Sequence, residues 1–149
     1  MTSYILLVED DKHDLSFIDR ALKLCSVHNN VRVARDGAEA LQVLEQDESP
    51  SLILLDLKLP KVDGFTVLKR IRATPALEDI PVIIVSGSLL EGDRVRAMIL
   101  GANNYVVKSM DFGDFAQLLS LALSPYASAL AVNGRDNLHA RRANDKSLN

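Results

Sequence analysis

Leu52-Ile53-Leu54-Leu55-Asp56-Leu57-Lys58-Leu59-Pro60 is the stretch whose reading decides the fold. A run of large aliphatic residues stops at one carboxylate, and the chain then leaves the apolar register through Leu-Pro and Asp63-Gly64. A continuous apolar run this short reads as a strand buried on both faces. Asp is unfavourable inside strands, so Asp56 belongs at the carboxyl end, where ligands and chemistry sit in open parallel sheets. A plain cap or turn after a core strand would suit Asp56 equally. This stretch alone leaves both readings open.

Upstream, Tyr4-Ile5-Leu6-Leu7-Val8 is a second such run, ended by Glu9-Asp10-Asp11. Leu15, Ile18, Leu22 and Cys25 then recur at helical steps, and Asp11 and Asp14 suit the positive amino end of that helix. Asn29-Asn30 turns the chain into Val31-Arg32-Val33-Ala34, a strand with a more exposed side; after Asp36-Gly37 a helix carries Ala38, Leu41 and Leu44. Downstream of Asp56, a helix with Phe65, Leu68 and Ile71 inward ends at Thr74-Pro75. Pro81-Val82-Ile83-Ile84-Val85 exits into Ser86-Gly87-Ser88, and the next helix turns Val95, Met98 and Ile99 inward before closing at Gly101. Tyr105-Val106-Val107 exits at Lys108-Ser109, and a last helix gathers Phe112, Phe115, Leu118, Leu119 and Ala122 on one side. Strict alternation of short strands with helices predicts an α/β fold with a parallel sheet and right-handed crossovers. Five such units make a doubly wound three-layer sandwich.

Residues 1–124 read as one domain and 125–149 as a C-terminal extension. Tyr126, Ala129 and Leu130 prolong the last helical stripe, with Pro125 kinking it or starting a new turn. From Asn133 a polar, mobile tail is expected. A chain of 149 residues, 48% hydrophobic, sustains one core. Its net charge of −3 gives no general pull towards nucleic acid. Cys25, a lone cysteine, suggests a buried thiol in a reducing compartment. The start lacks the basic region of a signal peptide, and no stretch approaches the roughly 18 apolar residues of a membrane span. A cytoplasmic protein is expected, without membrane attachment or direct DNA binding.

In a parallel sheet the strand exits lie along one edge. They carry Glu9 and Asp10, Asp56, Ser86 and Lys108. Three close carboxylates repel, and one lysine does not offset them. A divalent cation with oxygen ligands would, and Mg²⁺ needs only one or two carboxylates and a backbone carbonyl because it keeps several waters. No Cys/His cluster offers zinc instead, and no Gly-rich nucleotide loop is present. A metal-held carboxylate beside an ammonium and a hydroxyl suits attack on a phosphoryl group to form an aspartyl phosphate. Such transfer depends on in-line positioning and charge neutralisation. Lys108 would supply charge with the metal, while Ser86 and the N–H groups near Leu57 and Gly87 would supply hydrogen bonds. A side chain at Gly87 would block approach to the phosphate.

From Tyr4 to about Leu123 the chain resembles a receiver domain of a two-component response regulator. The resemblance rests on the acid pair Glu9-Asp10, Asp56, the Leu-Pro-x-x-Asp-Gly segment from Leu59 to Gly64, Ser86 and Lys108. It implies a flavodoxin-like strand order of 2-1-3-4-5. It also implies that Asp56 is the phosphoacceptor for a sensor histidine kinase and that Asp10, Asp56 and the Lys58 backbone carbonyl bind Mg²⁺ (or Mn²⁺), with Glu9 acting mainly through a bound water. Ser86 and Tyr105 become switch residues, Lys58 and Ser88 tune hydrolysis of the aspartyl phosphate, and the output is a protein–protein contact rather than an enzymatic one.

One departure stands out: the residue after the lysine, commonly proline in such domains, is Ser109. A non-proline cis bond costs about 2.5–4 kcal/mol, so a trans peptide or a strained loop is expected there, with consequences for Lys108. Ile5 to Asp11, the turn at Val27 to Asn30 and Val33 to Gly37 look like the stand-alone regulators that partner cyanobacterial phytochrome histidine kinases. That likeness implies a homodimer through the face of the fourth helix, fifth strand and fifth helix. Three other functions compete. An aspartyl-nucleophile phosphatase would want Asp where Lys58 stands, and a flavin module would want a phosphate-cradling first loop in place of an acidic one. A degenerate receiver that only binds partners draws its support from Ser109.

Overall fold

The computed structural model describes residues 4–46 and 48–130. Five strands, β1 (Tyr4–Val8), β2 (Asn30–Ala34), β3 (Leu52–Leu55), β4 (Val82–Ser86) and β5 (Asn104–Val107), alternate with five helices. The helices are α1 (Lys12–Leu24), α2 (Gly37–Gln46), α3 (Gly64–Ala73), α4 (Glu91–Ile99) and α5 (Phe112–Leu123). All pairings are parallel and the order is β2-β1-β3-β4-β5, as expected from the sequence. Every residue of β1, β3 and β4 is buried, which is why these strands are continuous apolar runs rather than alternating ones.

The two faces divide at a period of two. Leu6, Val8, Ile53, Leu55, Val82 and Ile84 face α2, α3 and α4, whereas Ile5, Leu7, Leu52, Leu54, Ile83 and Val85 face α1 and α5. Each buried aliphatic side chain contributes about 1.5–3 kcal/mol. The α1–α5 seam is also aromatic: the Phe17 ring lies 5.3 Å from Phe112 and 5.0 Å from Phe115.

Three helix faces differ from their sequence expectation. In α2 the buried residues are Gly37, Ala40, Val43 and Leu44, and Ala38 is exposed. The phase is set where Gly37 passes under the Val62 backbone, so close that a Cβ there would overlap the Val62 carbonyl oxygen. In α4 only Ala97 is buried, while Val95, Met98 and Ile99 are exposed. A small residue lets that helix lie close to the sheet, and the large apolar residues turn outward. In α5 Leu118 is exposed, and the inward stripe is Phe115, Ala116, Leu119, Ala122 and Leu123.

α4 closes at Gly101 with φ +107, where Ala102 N–H donates to Ala97 O (3.0 Å) and Gly101 N–H to Met98 O (3.1 Å), a Schellman motif. Arg72 of α3 clamps this end. Its guanidinium donates to the carbonyls of Gly101 (2.9 Å), Glu78 (3.0 Å) and Ile80 (2.8 Å) and to Asn103 Oδ1 (2.8 Å). After α5, Ser124–Tyr126 form a 3₁₀ turn with Pro125 at its start, so the proline begins a new turn. Residues 127–130 continue helically; Leu130 is buried on the α1–α5 side and Ala129 is exposed. The expected tail from Asn133 lies outside the described residues.

Candidate functional site

Strand register builds the site. Val8 pairs with Leu55, and Asp56 N–H donates to Val8 O at 3.1 Å, so Glu9 and Asp56 leave the sheet side by side. Ser86 pairs with Val107, and Lys108 N–H donates to Ser86 O at 2.8 Å, which brings the next residue of β5 to the same edge. Carboxylate oxygens of Glu9, Asp10 and Asp56 lie within 4.8 Å of one another. Glu9 and Asp56 are buried and Asp10 is exposed.

Asp56 Oδ1 accepts from the Leu57 N–H at 2.8 Å, and Lys108 Nζ lies 3.2 Å from Oδ2. The Lys108 ammonium also lies 2.8 Å from Glu9 Oε1 and 2.8 Å from Asp14 Oδ2. The ammonium is therefore delivered to Asp56 although no cis peptide bond is present among the described residues, the Lys108–Ser109 bond included. Glu9 Oε1 is buried and has no well-directed hydrogen-bond donor.

Burial pushes the Glu9 carboxyl up to about 7, with the Asp56 charge adding to it against the pull of Lys108. Burial likewise raises Asp56, opposed by the Lys108 charge and hydrogen bond and by the Leu57 and Lys58 N–H groups. Burial alone would lower the Lys108 ammonium, but the adjoining Asp14 and Glu9 carboxylates and the charge of Asp56 reverse the sign and raise it. The set fits a hard divalent cation: all donors are oxygens, they converge, and one buried oxygen lacks a directed partner.

The remaining residues lie around this centre. Buried Ser86 accepts from Ser88 N–H at 3.1 Å. Ser88 Oγ donates to Asp93 Oδ2 of α4 at 2.6 Å, and Ser88 O accepts from the Tyr105 hydroxyl at 3.1 Å. Tyr105 is half-buried against the α2–α4 side of the core. A Cβ on Gly87 would meet nothing within 4 Å, whereas one on Gly64 would overlap the Asp56 carbonyl oxygen. Lys58 is exposed at the rim, with its backbone N–H bonded to Asp56. Asp14 is the site residue that sequence reasoning missed. It was assigned to the helix amino end, yet the first turn of the helix after β1 necessarily stands over the same sheet edge.

The model of the family described as "Response regulator receiver domain" matches residues 5–120. This chain belongs to that family. Response regulator Rcp1 of Synechocystis sp. is 37% identical to the receiver domain over 121 residues, which is 77% of this chain and 82% of that one. A solved Mn²⁺-bound form of Rcp1 superposes with a TM-score of 0.74 at 36% identity, covering 82% of this chain and 92% of that chain. The phosphorylated cyanobacterial phytochrome response regulator RcpA superposes with a TM-score of 0.77 at 37% identity, covering 87% and 96%. The receiver domain is thus homologous to phytochrome-associated response regulators, and receiver domains are signalling switches.

Proposed function

We propose that Asp56 accepts a phosphoryl group from the phosphohistidine of a sensor histidine kinase and that the modified domain switches a protein–protein contact. The observation that carries this reading is the Asp56 carboxylate, with Lys108 Nζ 3.2 Å from Oδ2 and Glu9 and Asp10 oxygens gathered beside it. Asp56 attacks phosphorus, an O–P bond forms as the P–N bond breaks, and the electron pair leaves with the imidazole. Glu9, Asp10, Asp56 and the Lys58 carbonyl would hold Mg²⁺ or Mn²⁺, which when bound neutralises charge on the phosphoryl oxygens. Lys108 neutralises a further oxygen, and the open space at Gly87 admits the group. The Mn²⁺-bound Rcp1 and phosphorylated RcpA support this chemistry by likeness.

Ser86 Oγ, swinging by a side-chain rotation to donate to a phosphoryl oxygen, moves out of reach of the Ser88 N–H. Ser88 also holds Asp93 and Tyr105, so that loss reaches α4 and β5 together. Lys58 and Ser88, at the rim, set the lifetime of the aspartyl phosphate. The kinase is of the phytochrome type, on the strength of the likeness to the cyanobacterial phytochrome response regulator RcpA, and the exchange takes place in the cytoplasm. The exposed Leu89, Leu90, Ile99 and Met110 give the α4–β5–α5 side an apolar surface suited to a second copy.

Incubation with Mg²⁺ and phosphoramidate is expected to give a base-labile adduct that vanishes in Asp56→Asn. No adduct on the wild-type chain would refute the reading, and one that survives Asp56→Asn would move the acceptor elsewhere.

A further inference from the structure

Lys108 Nζ has three carboxylate neighbours, and two of them are committed elsewhere during the reaction proposed above. Asp56 gives one oxygen to the phosphoryl ester, and Glu9 belongs to the cation cluster. Asp14 Oδ2, 2.8 Å from the ammonium, has no such second duty. Its backbone is fixed: Asp11 caps α1 by accepting from His13 N–H at 2.8 Å and Asp14 N–H at 3.0 Å. The lysine is anchored at the opposite end, where its N–H donates to Ser86 O. Between the two lies a four-carbon stem that places its charge only as well as its partners hold it. The Asp14 side chain is 37% exposed and that of Lys108 15%, so Asp14 is the more exposed member of the pair.

We infer that Asp14 is a positioning residue for phosphoryl transfer: it holds the Lys108 ammonium over Asp56 from the α1 side throughout the reaction, when Glu9 and Asp56 are otherwise engaged. The inference rests on the phosphoacceptor reading of Asp56. Asp14 touches neither the phosphoryl group nor the cation and acts through Lys108 alone. It also serves the loop in which Ser109 follows the lysine, by supplying from α1 a restraint on where the charge sits.

The test is the rate constant of Asp56 phosphorylation by phosphoramidate at saturating Mg²⁺, with the Mg²⁺ affinity measured separately by calorimetry. Misplacing the ammonium through Asp14→Asn is expected to slow phosphorylation about tenfold, with the Mg²⁺ affinity changing less than about threefold. Asp14→Glu, which keeps the charge, is expected to recover most of the rate. In a Lys108→Met background, itself slow, Asp14→Asn is expected to have no further effect, because residues acting through one contact are not additive. An unchanged or faster rate in Asp14→Asn overturns the inference, as does an effect that persists undiminished without Lys108. Failure of the wild-type chain to take phosphate on Asp56 sinks the functional reading instead, so the two failures are distinct. Circular dichroism of Asp14→Asn and Asp14→Glu checks folding, and Asp14→Ser, which also removes the carboxylate and carries the same expected slowing, decides the matter if the Asn variant does not fold.

Discussion

Two glycines at the site illustrate different constraints at the scale of single residues. At Gly64 an added methyl runs into the Asp56 and Leu57 backbone, so Gly64→Ala is expected to cost more than about 2 kcal/mol in urea denaturation. At Gly87 the same methyl meets open space. Gly87→Ala is expected to hold stability within about 0.5 kcal/mol while slowing phosphorylation; a normal rate would show that the space is not used by the phosphoryl group. Glu9 gives a pH signature. Its carboxyl sits near 7 in the folded domain against an ordinary 4.5, so between those values the folded state holds a proton that the unfolded chain has released. Stability contributed by Glu9 therefore falls as pH rises through this window and levels off above it. The melting difference between wild type and Glu9→Gln, measured without metal, is expected to decline from pH 4.5 to 7, and saturating Mg²⁺ is expected to flatten it. A difference that climbs with pH would contradict the burial assigned to Glu9. Residue by residue, the sequence shows Glu9, Asp10, Asp56, Ser86 and Lys108 because each ends an apolar run. It hides Asp14 because a first-turn acid already has an ordinary explanation in the helix dipole.

Among the elements, α4 is the least anchored. Leu90 stands at its N-cap with no side-chain capping bond, and Ala97 is its one buried residue. Leu90→Ser, which supplies a side-chain acceptor to the first-turn N–H groups, is expected to raise stability by about 0.5–1 kcal/mol in the denaturation midpoint. No gain would mean that these groups are already satisfied. The same helix shows why element faces are harder to read than element order. Hydrophobic periodicity weights large side chains, so Val95, Met98 and Ile99 look inward, whereas close approach to a sheet favours Ala97. On α2, Leu41 and Leu44 meet the core as expected and only Ala38 does not, because a backbone crossing at Gly37 and Val62 sets the start of the helix. β1, β3 and β4 were legible because burial on both faces leaves no room for polar residues until the exit.

Across the whole molecule, the carboxyl edge of the sheet carries the charged cluster, and on the side of α4 the exposed apolar residues Leu89, Leu90 and Ile99 lie within residues 89–99. If that side receives a second copy, phosphorylation is expected to shift the domain from monomer towards dimer in sizing chromatography, and Ile99→Glu is expected to abolish the shift. A single species in both states would remove the homodimer. The Arg72 fork bears on how such a face is driven. It ties the carboxyl end of α4 to the backbone at Gly101 and Ile80, while the amino end hangs on Ser88 and Asp93. A rod pinned at one end and slack at the other behaves as a lever. If phosphorylation displaces Ser88, the amino half of α4 would move with it about Gly101 as pivot, and a partner reading the state would need to touch only that half.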